Sequence, residues 1–262
     1  MYNIIIVSHS NRMRCFMKRF FDRFDINKRF MNCAIIKICN KNNNIKAELI
    51  YSGELDNEED KDNEKYYTYK NYRTLTTNKL NIPENMIYYI VRHGQGYHNL
   101  ANSILDKILY AFESPYFNDP NLTNKGFEQS RHAGIFLNNY INKEYTTIFF
   151  CSKLLRTRET ISEIMDQMGF MKNNIYILPS SHEIMLIERN GLCDGNQFLP
   201  EIGHNVGIIP KNNHETKKLK FLQINNKKII WYFYDKFYNK NKLCRHTNML
   251  YEAIYILNKI IQ

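Results

Sequence analysis

A chain of 262 residues with 44% hydrophobic and 24% charged residues has ordinary globular composition, and length for one α/β domain with a full core or for two small ones. Its 36 Lys+Arg against 26 Asp+Glu give a net charge of +10, which favours anionic partners such as phosphorylated metabolites, nucleic acid or an acidic membrane surface. The basic residues are scattered and not gathered in one helix or arm, so no nucleic-acid partner is expected. No apolar run is long enough to span a bilayer, so no membrane partner is expected.

The six cysteines, Cys15, Cys33, Cys39, Cys151, Cys193 and Cys244, make no CxxC pair and no short, even framework. Reduced, mostly buried thiols are expected, and with no leader at the N-terminus a soluble, cytoplasmic protein.

Residues 2–7, YNIIIV, form a continuous apolar run that reads as a buried strand, and it ends in Ser8, His9 and Ser10. Asn11 is a candidate cap for a helix over about 11–24, in which Met13, Phe16, Met17, Phe20 and Phe21 recur at helical spacing. Arg14 on this helix is either a site residue or a solvated arginine. Residues 32–39 and 45–52 read as strands joined by a polar turn at 40–44, giving a hairpin. Residues 53–83 are a connecting segment: acidic and solvated over 53–65, then a Tyr- and Thr-rich irregular tether across the surface.

The stretch that organises the rest is 86–99, MIYYIVRHGQGYHN. Residues 87–91 read as a second buried strand, running straight into Arg92, His93 and Gly94. In open α/β sheets ligands bind at the carboxyl ends of the strands. A guanidinium fork, an imidazole and the close-approaching N–H groups of Gly94 and Gly96 at such an edge suit a phosphate.

Helical spacing predicts a helix over 98–112 and another over 124–142 with Thr123 as its N-cap, on which His132 is a surface or half-buried residue. Residues 148–151 form a third buried strand ending in Ser152. The helix that follows, LLRTRETISEIMDQMG, has Gly169 at its C-terminal end and puts Arg156 and Arg158 in the first turn after a strand end. Cations there oppose the helix dipole, an arrangement that makes sense if an anion binds between them. Residues 175–179 are a fourth strand, followed by a loop carrying Glu183, Glu188 and Asp194. Residues 198–219 are irregular, 222–238 fit helix or strand, and 248–261 read as a helix.

His93 with Arg92, His9, Arg156 and one loop acid converge only if their strands are neighbours in one sheet. A neutral imidazole can then attack phosphorus, the arginines and second histidine can bind the equatorial oxygens, and a carboxylic acid can protonate the leaving oxygen. This chemistry needs no cofactor, and no His, Cys or Asp spacing resembles a metal site.

On these residues the chain resembles the histidine phosphatase superfamily, also called phosphoglycerate-mutase-like. The family's RHG-x-x-x-x-N signature matches Arg92, His93, Gly94 and Asn99, and its S-x-L-x-R-T element matches Ser152, Leu154, Arg156 and Thr157. The L-T-x-x-G-x-x-Q stretch matches Leu122, Thr123, Gly126 and Gln129, and the H-G-N-x-x-R element matches His9, Asn11 and Arg14, with Ser10 in place of glycine. The resemblance implies a single domain over 1–262, built as a three-layer α/β/α sandwich on a mostly parallel central sheet. It implies His93 as the nucleophile that becomes phosphohistidine, and a phosphate pocket of Arg92, Arg156, Asn99 and His9, with Gly94 and Asn11 beside it. For the proton donor Glu188 is preferred, because IERNG resembles the family's E-R-x-x-G element; Glu183 and Asp194 are alternatives. His98 either touches the site or only caps and packs.

The order departs from the family, where the RHG strand comes first and the second-histidine strand late. Here His9 precedes His93, which implies a circular permutation with 53–83 bridging the ordinary ends. The expected activity is a phosphoric monoester hydrolase acting on a small phosphorylated substrate. The alternatives are a phosphoglycerate mutase, which returns the phosphoryl group, and a non-catalytic phosphate-binding protein of the same fold, with a basic nucleic-acid binder behind both.

Overall fold

In this computed structural model, residues 1–54, 63–100, 120–152, 154–178, 220–224 and 227–231 are described. The strands in chain order are β1 (Tyr2–Ser8), β2 (Ile35–Lys41), β3 (Asn44–Tyr51), β4 (Leu75–Thr77), β5 (Met86–Arg92), β6 (Thr146–Cys151), β7 (Ile175–Ile177), β8 (Lys220–Ile224) and β9 (Lys227–Trp231). The helices are α1 (Ser10–Phe20), α2 (Asn124–Tyr140) and α3 (Leu155–Gln167).

The nine strands among the described residues share one sheet, in the order β4-β3-β2-β5-β1-β6-β7-β9-β8. The apolar run of β1 takes the middle, parallel to β5 on one side and β6 on the other. Its Ile4, Ile5, Ile6 and Val7 are fully buried, as a continuous apolar strand covered on both faces must be. The parallel run continues through β7 to β9, whereas β2, β3 and β4 are antiparallel on one flank and β8 on the other. The sheet is therefore mixed, which corrects the expectation of a mostly parallel one. Hairpins build both flanks, and short turns allow only antiparallel neighbours.

Alternate residues of β1 serve two cores. Ile4 and Ile6 pack in one apolar cluster with Met13, Phe16 and Met17 of α1, while Ile5 and Val7 pack in another with Leu137 of α2 and Ile161 of α3. A period of two along a strand requires this division. Burying each large apolar side chain contributes about 1.5–3 kcal/mol, so β1 and the α1 face are a major source of stability.

Several expectations change in detail. Helix α1 ends at Phe20, not near residue 24, because Phe21 leaves the helix in an extended conformation. Its N-cap position is His9, and Asn11 lies inside the first turn. The hairpin turn is Asn42-Asn43, both at positive φ (54° and 61°), the backbone a two-residue type I′ turn needs and asparagine tolerates. Residues 66–83 are not a surface tether. Tyr67 packs against both Phe24 and Phe30, Leu80 and Ile82 are buried, and 75–77 supply the edge strand β4. Aromatic residues at irregular spacing carried no periodic signal, yet they close the α1 core. The ambiguous 222–238 region resolves, as far as Trp231, into the β8–β9 hairpin.

Helix α2 begins as expected, with Thr123 Oγ1 accepting from Gly126 N at 3.0 Å, and α3 ends at Gly169 with φ +79°. There Gly169 N–H bonds Asp166 O and Phe170 N–H bonds Met165 O, the paired closure that calls for glycine. The four cysteines within the described residues are free thiols. Residues 55–62 of the acidic stretch, the expected helix beyond residue 100, and 198–219 and 248–261 lie outside the described residues, as do Cys193 and Cys244. No helix among the described residues is long and apolar enough to cross a membrane.

Candidate functional site

Strand register sets the site. Ser8 pairs with Arg92 across β1 and β5, and Val7 with Cys151 across β1 and β6. The three strands therefore end together, and the next residues of each chain, His9, His93 and Ser152, emerge side by side at the carboxyl edge. Backbone bonds continue the ladder one step further: His93 N–H to Ser8 O at 3.0 Å and Ser152 N–H to Val7 O at 3.1 Å. Both histidines are buried, and their rings meet edge-on with centroids 5.0 Å apart.

His93 is held by its own backbone. Nδ1 lies 2.6 Å from Gly94 O, and a carbonyl only accepts, so the proton is on Nδ1 and the lone pair is on Nε2. Burial, then the positive charges of Arg156 and Arg92, hold the imidazole well below its usual pKa, with the Gly94 bond pulling weakly the other way. His93 is thus biased towards the neutral imidazole, with the Nε2 lone pair in the positive field of Arg156 and Arg92. Arg92 and Arg156 are themselves almost fully buried, and Arg92 Nη1 donates to Phe30 O at 2.7 Å, which fixes one edge of its fork.

The loop after His93 is welded to α2 and α3. Gly94 N–H donates to Thr160 Oγ1 at 3.0 Å, Gln95 N–H to Gln129 Oε1 at 2.9 Å, and Gly96 N–H to Asn99 Oδ1 at 3.0 Å. The Gly94 and Gly96 donors, expected to face a phosphate, are committed inside the protein, a correction to the part assigned to their N–H groups. Its missing side chain serves packing: a Cβ there would stand 2.4 Å from Gly126 O. Asn99 closes the short 3-10 turn Tyr97–Asn99 through its side-chain oxygen. His98, on the same turn, is half-buried with its ring centroid 5.5 Å from that of His93.

On the β1 side, His9 Nε2 lies 2.9 Å from Ser152 Oγ. Asn11 is half-buried and accepts from Arg14 Nη1 at 3.2 Å. Arg14 is not solvated: it is buried, and both Nε and Nη2 donate to Ile26 O, tying α1 to the following loop. Arg158 is half-buried, whereas Arg156 is buried. His132 is exposed and pairs with Glu54 at 2.8 Å, away from the site. Glu183, Glu188 and Asp194 lie outside the described residues.

Sequence reasoning passed over three contributors. Thr160 sits one helical turn after Arg156, donates to Arg156 O at 2.7 Å and receives Gly94 N–H; the i, i+4 spacing was its signal. Gln129 was noted as a motif position with no role. Arg12, in the first turn of α1, is 1% exposed, and nothing in a basic chain marks one arginine as buried. Among the described residues no group of three or more His, Cys, Asp or Glu side chains could hold a metal ion.

The family model described as the histidine phosphatase superfamily (branch 1) matches residues 88–193. No match is found among curated proteins or among solved structures. The matched span runs from within β5 to Cys193, taking in Glu183 and Glu188 but not Asp194, and leaves β1 with His9 outside it.

Proposed function

From the resemblance of residues 88–193 to the histidine phosphatase superfamily, we propose that the chain is a phosphoric monoester hydrolase working through a phosphohistidine. The observation that carries this reading is the state of His93: neutral, Nδ1–H bonded to Gly94 O, buried under the charges of Arg92 and Arg156. A nucleophile of this kind must be unprotonated at the attacking atom and surrounded by positive charge where phosphoryl oxygens gather electrons.

In the first half-reaction the Nε2 lone pair forms a bond to phosphorus while the ester P–O bond breaks. The leaving oxygen takes a proton from a carboxylic acid, for which Glu188 is the candidate. The phosphorylated ring keeps its Nδ1 proton and its bond to Gly94 O, so the positive charge acquired by the imidazole is met by a fixed carbonyl dipole. Arg92, Arg156, Asn99 and His9 bind the phosphoryl oxygens. In the second half-reaction water adds to phosphorus, its proton passes to the Glu188 carboxylate, the N–P bond breaks, and phosphate leaves with His93 neutral again. The substrate class is a small phosphorylated molecule, and no step above uses a metal ion.

The insertion of β1 between β5 and β6, parallel to both, supports reading the chain as a single circularly permuted domain. A strand that precedes the matched region supplies the place of one that ordinarily follows it. The two apolar clusters, with α1 on one face and α2 and α3 on the other, support a three-layer sandwich.

The test is hydrolysis of an aryl phosphate with chelator present, with acid-labile phosphoprotein trapped by rapid quench, for the unmodified protein and His93→Ala. Turnover and label that both vanish in the variant are expected. Label without net phosphate release, discharged onto a phosphoglycerate, would replace hydrolase with mutase. Neither turnover nor label in the unmodified protein would overturn the enzymatic reading in favour of a phosphate binder.

A further inference from the structure

The residues that hold His9 carry an inference beyond the pocket itself. We propose that Ser152 is a positioning residue which, together with Thr157, fixes His9 as its Nε2–H tautomer, so that His9 gains and loses protons at Nδ1 alone.

The argument is proton bookkeeping among three buried side chains. Thr157 Oγ1 lies 2.7 Å from Leu154 O and 2.9 Å from Ser152 O. Both are carbonyls and only accept, so the single hydroxyl proton of Thr157 points at them. The remaining contact of that oxygen, Ser152 Oγ at 2.9 Å, must then be a donation from Ser152. With its proton so used, Ser152 Oγ can only accept from its other neighbours. Leu154 N–H donates to it at 3.3 Å, and His9 Nε2 at 2.9 Å must do the same. The reverse orientation would leave Thr157 Oγ1 facing two carbonyl oxygens with no proton between them in a site without solvent, since His9, Ser152 and Thr157 are all 0% exposed.

The fold supplies this relay cheaply. Ser152 is the first residue past β6 and Thr157 lies in the first turn of α3, where helix geometry leaves the Leu154 carbonyl within reach of the threonine hydroxyl. The two histidines of the site then hold opposite tautomers, His93 keeping its proton on Nδ1, where it donates to a backbone carbonyl, and His9 keeping its proton on Nε2, where it donates to a hydroxyl oxygen.

Resting on the phosphatase reading, the consequence is that His9 can become an imidazolium as a phosphate dianion arrives without turning its ring. The Nε2–H bond to Ser152 exists in both charge states, and the added proton sits on Nδ1. In the other tautomer each protonation would require Ser152 and Thr157 to reverse their hydroxyls.

The experiment is long-range proton–nitrogen correlation NMR of the full chain labelled with 15N-histidine, at a pH where the rings are neutral. His9 is expected with its proton on Nε2 and His93 with its proton on Nδ1. Thr157→Val removes the acceptor for the Ser152 hydroxyl and frees that proton to point at His9. It should move His9 toward the Nδ1–H form and lower kcat/KM about tenfold, chiefly through KM, while Thr157→Ser restores both. A His9 protonated on Nδ1 in the unmodified protein, or unmoved in a folded Thr157→Val, would overturn the proposal. The unmodified spectrum decides even if the variants do not fold. Because the tautomer is read without turnover, a protein that hydrolyses no ester yet shows the expected tautomers would sink the phosphatase reading and leave the relay standing.

Discussion

Strands β1 and β5 run side by side to the same sheet edge, and each ends in a buried histidine, yet the two histidines are held by different kinds of partner. His93 is fixed by the carbonyl of the next residue, Gly94. His9 is fixed by the hydroxyl of a residue 143 positions away, Ser152. A backbone acceptor cannot be removed by substitution and does not rotate. A hydroxyl relay can be edited and can reverse. On the proposed mechanism this matches the work of each ring: the nucleophile must always present the same unprotonated nitrogen, while the binding histidine must accommodate a change of charge.

The largest expected effect separates those roles directly. His93→Ala should remove all acid-labile phosphoprotein and lower turnover by roughly a thousandfold or more, as loss of a nucleophile does. His9→Gln should lower kcat/KM by about 10²–10⁴ while label still accumulates on His93. Quenched-flow labelling of the two variants checks the distinction. Label lost equally in both would erase the difference between nucleophile and binder.

Next is the packing beneath the His93 loop. Gly94→Ala places a methyl group 2.4 Å from the Gly126 carbonyl oxygen, and neither backbone can yield without breaking the bonds from Gly94 N–H to Thr160 and from Gln95 N–H to Gln129. Overpacking of this kind costs about 1–3 kcal/mol, measurable as a lowered urea midpoint. Activity should fall further than stability, since the Gly94 carbonyl is the group that orients His93. An alanine variant of unchanged stability would mean that the loop is not clamped as described.

The depressed pKa of His93 gives a pH signature. Burial, then Arg156 and Arg92, hold the folded-state value well below that of an unfolded histidine, which is about 6.5. Above pH 6.5 neither state carries the proton, and the group is indifferent to pH. As pH falls below about 6.5 the unfolded chain takes up a proton that the folded protein refuses, so stability falls with falling pH until the folded-state value is reached. Urea denaturation between pH 7.5 and 5 should show this loss, and His93→Gln should flatten it. On the proposed mechanism His93 should correspondingly resist protonation below pH 6.5, and the acid limb of the kcat/KM profile should lie lower than for an ordinary imidazole. An equal acid loss in the variant would show that His93 is not the group responsible.

How much of this was legible beforehand divides along the same line. The strands were readable because continuous Ile and Val runs have few other uses, and a strand ending in Arg92, His93 and Gly94 declares its edge. That His9 and His93 would be neighbours required knowing that β1 and β5 are adjacent, which no local pattern contains; it came from matching motifs in an altered order. The Asn42-Asn43 turn and the Thr123 cap were readable from turn and cap chemistry. The 66–83 segment was misread because Tyr67, Leu80 and Ile82 bury themselves by tertiary position, without periodicity. The use of the Gly94 N–H was misread because Thr160 reaches it from a helix far along the chain, and that of the Gly96 N–H because the Asn99 side chain turns back onto it. Buried arginines fared no better: Arg12 and Arg14 look like any exposed pair until α1 is docked.

The smallest effect probes how far the rigidity of the His93 side extends. Thr123 caps α2 by accepting from Gly126 N, and its hydroxyl also donates to Gln95 Oε1 at 2.7 Å, while its own N–H bonds Gln95 O at 2.9 Å. Thr123→Ala removes the cap at a cost of about 1 kcal/mol but keeps the backbone bond to Gln95. Thr123→Ser keeps both hydroxyl contacts and should recover most of the loss. Because Gly94 O and the His93 Nδ1 proton are untouched, kcat should change less than twofold in either variant even as the thermal midpoint falls in the alanine form. A large fall in kcat with Thr123→Ala, rescued by serine, would instead place Thr123 among the residues that orient the nucleophile, and the His93 side would then depend on side-chain partners as the His9 side does.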